Sequence, residues 1–121
     1  MENYFTIEKA GGIQVVTFLF AELSLEDAED FKKSLYSYVS DTSNKFIIDF
    51  HRCVFMSSVA LGALVSFTAK IHSYDGRIVF CAPTKEVSAI LAITKFDKIY
   101  DIYRTREEAL ASFKASDAIQ G

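Results

Sequence analysis

Hydrophobic and polar positions follow two different rhythms along this chain. Residues 4–9 and 13–20 are rich in β-branched and aromatic side chains and are joined by Ala10, Gly11 and Gly12, which predicts a β-hairpin. The first strand is expected to be the shorter and more polar, as suits a sheet edge. At Ser24 the period lengthens. Leu25, Ala28, Phe31, Leu35, Tyr38 and Val39 recur three or four apart, with Glu26, Asp27, Glu29, Asp30, Lys32 and Lys33 among them. This is an amphipathic helix with Ser24 as its cap and carboxylates in the first turn, where the helix dipole favours them. Asp41, Thr42, Ser43 and Asn44 supply the turn that closes it.

The centre of the chain is the apolar run 46–50, Phe-Ile-Ile-Asp-Phe, long enough for one buried strand and too short for a buried helix. A polar break at His51 and Arg52 precedes a second apolar, strand-like run, 53–56, which ends at Ser57 and Ser58. From about residue 59 to residue 72 a helical pattern follows, with Ala60, Leu61, Leu64, Val65, Thr68 and Ile71 on one face. Its small residues Ala60, Gly62 and Ala63 are expected to let the first turn approach the sheet, and Gly76 to end the helix. Residues 77–81 predict a strand. Ala82, Pro83 and Thr84 then lead into a helix with Val87, Ile90, Leu91 and Thr94 as its stripe. Residues 99–103 predict a short last strand. Thr105 with Glu108 forms the threonine-x-x-glutamate capping box of a fourth helix, which packs through Ala109, Leu110 and Phe113 before a frayed tail at 115–121.

Strands alternating with helices imply βαβ crossovers, so the expected fold is α/β: a mixed, mostly parallel sheet of about five strands with about four helices. At 121 residues, residues 1–121 make one domain, and the composition, half apolar with eleven phenylalanines, excludes disorder. No apolar run is long enough to span a bilayer, and no basic n-region precedes an apolar stretch, so neither a membrane span nor a secretory signal is expected. A net charge of −3, with basic residues scattered, argues against nucleic acid as a partner. Cys53 and Cys81 both lie in apolar runs, which predicts buried free thiols and a cytoplasmic protein. His51 and His72 are too few and too far apart to suggest a metal, and no cofactor motif is present.

In α/β sheets of this kind, ligands and partners gather beyond the carboxyl ends of the strands. The candidates there are Glu22 and Ser24, Asp49 and His51, and the Ser57–Ser58 pair. An enzyme using Ser58 or Cys53 as nucleophile is poorly supported, because His51 is the only nearby base and no glycine-flanked elbow is present. Two readings of the serine pair stay open. Serine before a helical period is commonly a cap, whose hydroxyl accepts from an orphan amide. Alternatively, Ser58 is a modification site, where a phosphate would add roughly −1.5 to −2 charges beside the amides of a helix N-terminus.

The strand 46–50, then Val54-Phe-Met-Ser-Ser58 and Leu61-Gly62, resembles the STAS domains of bacterial anti-sigma factor antagonists. Ala21-Glu-Leu-Ser24, Gly76 with its following strand, the helix from Val87 to Phe96, and Glu107-Glu-Ala-Leu110 extend the resemblance over nearly the whole chain. It implies a non-catalytic partner-switching regulator. The unphosphorylated form would bind a serine-kinase anti-sigma factor of the histidine-kinase-like ATPase type, and a PP2C-type phosphatase would reverse the kinase's action. The resemblance places the phosphorylated residue at Ser58, with Ser57 as the alternative. It puts the partner-facing surface at Glu22, Ser24, Ser57, Ser58, Val59, Ala60 and Leu61. Ser57 and Ser24 stand where the family has aspartates, and Val59-Ala60 replaces its usual Ser/Ala-Gly. Those departures motivate a second reading, a constitutive STAS scaffold that is never phosphorylated.

Overall fold

In a computed structural model of the chain, residues 4–19 and 25–120 are described, with side chains for 4–19 and 26–114. The hairpin comes first: β1 (Phe5–Ala10) and β2 (Ile13–Phe18) pair antiparallel with Ala10 opposite Ile13. Gly11 and Gly12 both take positive φ, 57° and 85°, the two-residue turn whose twist matches the strands it joins. The two strands are equal in length, six residues each, so β1 is not the shorter one; the edge position and the more polar exposure are as expected.

Helix α1 (Leu25–Tyr36) follows, ending before Tyr38, which is exposed rather than part of the packing stripe. Strand β3 (Lys45–Asp49) leads through a loop to α2 (Ser58–His72), then come β4 (Arg77–Cys81) and α3 (Lys85–Ile93). A single 3-10 turn at Phe96–Lys98 precedes β5 (Ile102–Tyr103), and α4 (Arg106–Gln120) ends the described chain. The backbone of α4 therefore continues as helix into the stretch for which a frayed tail is expected. The sheet order is β1-β2-β3-β4-β5, antiparallel only at the hairpin and parallel from β2 onward. This is the mixed, mostly parallel sheet that the alternation of strands and helices predicts.

Because the parallel strands follow one another across the sheet, right-handed crossovers place α1, α2 and α3 on one face. Val16, Phe18, Phe46, Ile48, Phe50, Ile78 and Phe80 point into that layer and meet Phe31, Leu35, Leu64, Phe67, Ile71, Val87 and Leu91. The alternate residues Ile13, Val15, Ile47, Val79 and Cys81 point the other way, onto Ala109 and Phe113 of α4. A strand's period of two thus builds both layers from the same five-residue runs.

Several local expectations give way to packing. Residues 53–56 form no strand: Cys53 and Met56 are buried, but Val54 and Phe55 are 57% and 46% exposed in the loop. The last strand is only Ile102–Tyr103, and Ile99 is exposed beyond the 3-10 turn. On α2, Val65 is exposed and Phe67 is wholly buried, so the packing face is rotated from the one read off the pattern. Gly62 faces open space and does not bring the helix onto the sheet. Thr94 caps the C-terminal end of α3 and is exposed. Gly76 is needed for a reason other than helix termination by left-handed backbone, a role that falls to Asp75 at φ 55°. A β-carbon on Gly76 would lie 2.7 Å from Ile71 Cγ2 and 2.8 Å from Asn44 Cβ, so only glycine lets the β4 entry pass the end of α2.

Candidate functional site

The serine pair divides its labour. Ser57 is the N-cap of α2: its backbone is extended (φ −74°, ψ 165°) and its Oγ accepts from the Ala60 amide at 3.2 Å. Its carbonyl accepts the first helical bond from the Leu61 amide at 3.0 Å. Ser58 is the first residue of the helix proper, exposed, with its hydroxyl free of any hydrogen bond among the described residues. The cap and the candidate modification site are therefore different residues. The cap is Ser57, and Ser58 is left displayed beside a helix N-terminus with no acid in its first turn. Val59 is half-buried, while Ala60 and Leu61 are buried and seat the helix on the sheet rather than face outward. Glu22 and Ser24, together with the cap assigned to Ser24, lie outside the described residues.

The residues that present Ser58 carry no local signal in the sequence. The loop after β3 is held at both its ends and in the middle. Cys53 donates its amide to the Phe50 carbonyl at 2.9 Å, and its own carbonyl accepts from the Thr84 hydroxyl at 2.7 Å. Thr84 is also the N-cap of α3, accepting from the Val87 amide at 3.2 Å, so one hydroxyl ties the start of α3 to the loop before α2. The Cys53 thiol donates to the Phe55 carbonyl at 3.2 Å; burial raises its pKa, and that bond offsets only part of the rise. Between these anchors Val54 and Phe55 are held out into solvent, a short apolar ridge leading up to Ser58. The strand-like composition of residues 53–56 gives no sign of this exposure.

On the sheet's other face, the register sets Thr17, Asp49 and Cys81 side by side in one row across β2, β3 and β4. Arg106, the first residue of α4, reaches over this row. Its Nε and Nη2 donate to Asp49 Oδ2 at 3.2 and 3.1 Å, Nη2 also to Thr17 Oγ1 at 3.3 Å, and Nη1 to Glu8 Oε2 at 3.1 Å. Burial pulls its pKa down, but the hydrogen bonds and charges of Asp49 and Glu8 outweigh this and raise it. Asp49 turns its other oxygen to His51, 2.9 Å from the backbone amide and 2.8 Å from Nδ1. Burial foremost, and then Asp49, push the Cys81 thiol up to about 12, against a partial offset from Arg106. His51 is thus paired with Asp49 and bonds to neither serine among the described residues, which leaves a serine nucleophile without a base. Both cysteines are buried and neither is in a disulfide, and no cluster of three metal-ligating side chains forms among the described residues.

A groove of about 420 Å³ between α2 and residues 99–101 lies at the far end of α2 from the serines, lined by Val65, Thr68, His72, Ile78 and Ile99 among others. The exposed features around Ser58 are a ridge and a helix start, which suit a macromolecular contact. No helix among the described residues is long and apolar enough to cross a membrane.

Comparison with known proteins bears on the family and the fold. The sequence profile of the STAS domain matches residues 4–109. A protein of Thermotoga neapolitana, named as a "Putative anti-sigma factor antagonist TM1081 homolog", is 31% identical over 90 residues, covering 74% of this chain and 80% of that one. The crystal structure of the corresponding Thermotoga maritima protein superposes with a TM-score of 0.80 at 26% identity, covering 89% of this chain and 92% of that one. The fold is shared as well with the Bacillus cell fate determinant SpoIIAA in its phosphorylated form, at a TM-score of 0.68 and 20% identity over 90% of this chain and 98% of that one. The chain belongs to the STAS domain family, among relatives named as anti-sigma factor antagonists.

Proposed function

We propose that this protein is an anti-sigma factor antagonist: a binding module that captures a serine-kinase anti-sigma factor and is switched off when that kinase phosphorylates Ser58. The observation that carries this reading is the separation of roles at the start of α2. Ser57 makes the cap bond, so Ser58 is exposed and can accept a phosphate without breaking a contact that holds the helix. The new charge would meet the unpaired amides of the first turn, where it is favoured. It would also change the sign of the surface next to the Val54–Phe55 ridge, and a partner pocket that accepts that ridge would lose affinity. Relatives named as antagonists, and a neighbour of the same fold known in a phosphorylated form, support it. The protein itself catalyses nothing, its cognate partner has the histidine-kinase-like ATPase fold, and a PP2C-type phosphatase resets the switch.

Incubation with the cognate kinase and ATP should add one phosphate by intact mass. Ser58→Ala should remain unmodified and still bind; Ser58→Glu should bind weakly. Phosphate found on Ser57 instead would move the switch onto the cap. No phosphate at all, with undiminished binding by Ser58→Glu, would favour a constitutive STAS scaffold, the reading that the missing aspartate at position 57 supports.

A further inference from the structure

The two faces of the sheet meet in one carboxylate. Asp49 ends β3 with a side chain 4% exposed, giving Oδ2 to Arg106 of α4 and Oδ1 to the backbone amide of His51, the second residue of the loop that displays Val54, Phe55 and Ser58. Because both oxygens are occupied by donors, the carboxylate has one orientation available, and in that orientation it holds the His51 amide where the chain turns out of the sheet. Thr17 and Glu8 hold Arg106 from β2 and β1, so the guanidinium cannot easily follow a displaced Asp49. Phe50 donates its amide to the Cys81 carbonyl at 3.0 Å and accepts from the Cys53 amide at 2.9 Å, so the turn is closed at its two ends, and the bond to Asp49 is what holds the His51 amide within it.

From this geometry we infer that Asp49, held by Arg106, is the positioning residue for the partner-facing loop, acting from the face of the sheet opposite to α2. The inference rests on the proposed function only for what the loop binds; the positioning itself is a property of the chain alone. A merely structural tie would fasten α4 to the sheet. A positioning tie would fasten the loop. The two are distinguished by where the molecule loosens when the tie is cut.

The test is amide hydrogen exchange on the isolated protein, comparing wild type with Asp49→Asn, Arg106→Gln and the double variant. Asparagine keeps the shape and an acceptor for His51 but presents an amide donor to the arginine. Exchange at residues 51–56 should rise about tenfold in either single variant, the order expected when hydrogen bonds to a charged group are lost. The double variant should add little beyond either single, since both cut the same link. Exchange rising only in α4 and β5, with the loop unchanged, would overturn the inference. If Asp49→Asn loosens every element together, Arg106→Gln and the non-additivity still decide it: additive effects from the two singles count against the link. Affinity for the cognate kinase should fall in parallel. Loosening of the loop without loss of affinity would retain the positioning role and count against the proposed surface instead.

Discussion

The two layers packed on this sheet are built on different physics. On the three-helix face, Phe31, Phe18, Phe50, Phe80 and Tyr100 form a continuous string across the sheet, with successive centroids 5.4, 5.6, 5.2 and 4.5 Å apart. The first three contacts are edge-to-face, the geometry that the ring quadrupole favours, and the last is stacked. On the α4 face the apolar layer is thin, Ile13, Val15, Ile47, Val79, Cys81, Ala109 and Phe113, and the strand ends beyond it carry the Asp49–Arg106 ion cluster. The first face is held by area and shape; the second by fewer apolar contacts plus directional bonds. Directional bonds tolerate less variation in geometry, which suits the face that steers the loop.

The largest expected effect tests the aromatic layer. Phe50 sits between Phe18 and Phe80 with no exposure, so Phe50→Ala should cost about 4 kcal/mol in denaturant unfolding, transfer and cavity terms together. Phe113→Ala, in the thin layer, should cost less, about 3 kcal/mol, since Phe113 is buried but lines a surface groove with Ala10, Ile13 and Leu110, into which the site can partly collapse. A larger loss for Phe113→Ala would reverse the ranking of the two faces. Next comes the ion cluster: Asp49→Asn should cost about 2 kcal/mol, below the range for a wholly buried pair because the Arg106 side chain is 29% exposed and can turn to water. Urea melts of Asp49→Asn and Arg106→Gln should therefore fall between the aromatic and the capping variants.

A smaller effect isolates the start of α4. Thr105 Oγ1 accepts from the Glu108 amide at 3.1 Å, while Glu108 Oε1 accepts from the Arg104 and Thr105 amides at 3.0 and 3.3 Å. Thr105→Ala should lower stability by about 1 kcal/mol. Because the box sets where Arg106 begins its reach, the same variant should slightly raise exchange at residues 51–56 if α4 and the loop are linked. A thermal melt and the exchange profile of one sample check both.

That capping box is also the part of the α4 region most legible in the sequence, because its two partners are three residues apart and their chemistry is local. The same holds for the hairpin, whose double glycine and flanking β-branched runs determine the turn, and for the order of strands and helices. The bounds of β4 are the expected ones, and α2 starts one residue before the expected Val59. Legibility ended where partners come from distant positions. Asp49 and Arg106 are 57 residues apart, and nothing in the run Phe-Ile-Ile-Asp-Phe marks its aspartate as one half of an ion pair. Gln14 is similar: its amide nitrogen donates to the Tyr38 carbonyl at 3.0 Å and to Ser43 Oγ, a join between β2 and the loop after α1 that no local pattern announces. Residues 53–56 misled for the opposite reason. Their composition is that of a strand, but no neighbouring strand is available to pair with them, so Cys53 and Met56 turn inward and Val54 and Phe55 outward. At the serine pair the sequence shows a cap and a candidate acceptor; only the backbone geometry assigns the cap to Ser57.

The smallest effect reads the α4 face through its thiol. Cys81 has no exposure and lies in the row with Asp49, and burial, then the Asp49 charge, raise its pKa from 9.0 to about 12. A group whose folded pKa lies above its unfolded value contributes stability that is full below the unfolded pKa and is lost as pH rises toward the folded one. The unfolded chain ionises first, so stability should begin to fall near pH 9.0 and continue falling toward about 12. At pH 9.0 the loss relative to neutral pH should be roughly 0.4 kcal/mol, RT ln 2 for a group half-ionised only when unfolded. Cys81→Ala removes this slope but also a buried sulfur, so the comparison is of slopes with pH and not of absolute stabilities. The cluster's own share can then be separated. Asp49→Asn removes the charge that opposes thiolate formation, yet leaves the burial that is the larger cause. It should therefore shorten the pH range over which stability falls while leaving its onset in place. Loss of the fall altogether in Asp49→Asn would mean that the folded thiol titrates with the unfolded one, and that the α4 face opens more readily than its directional bonds imply.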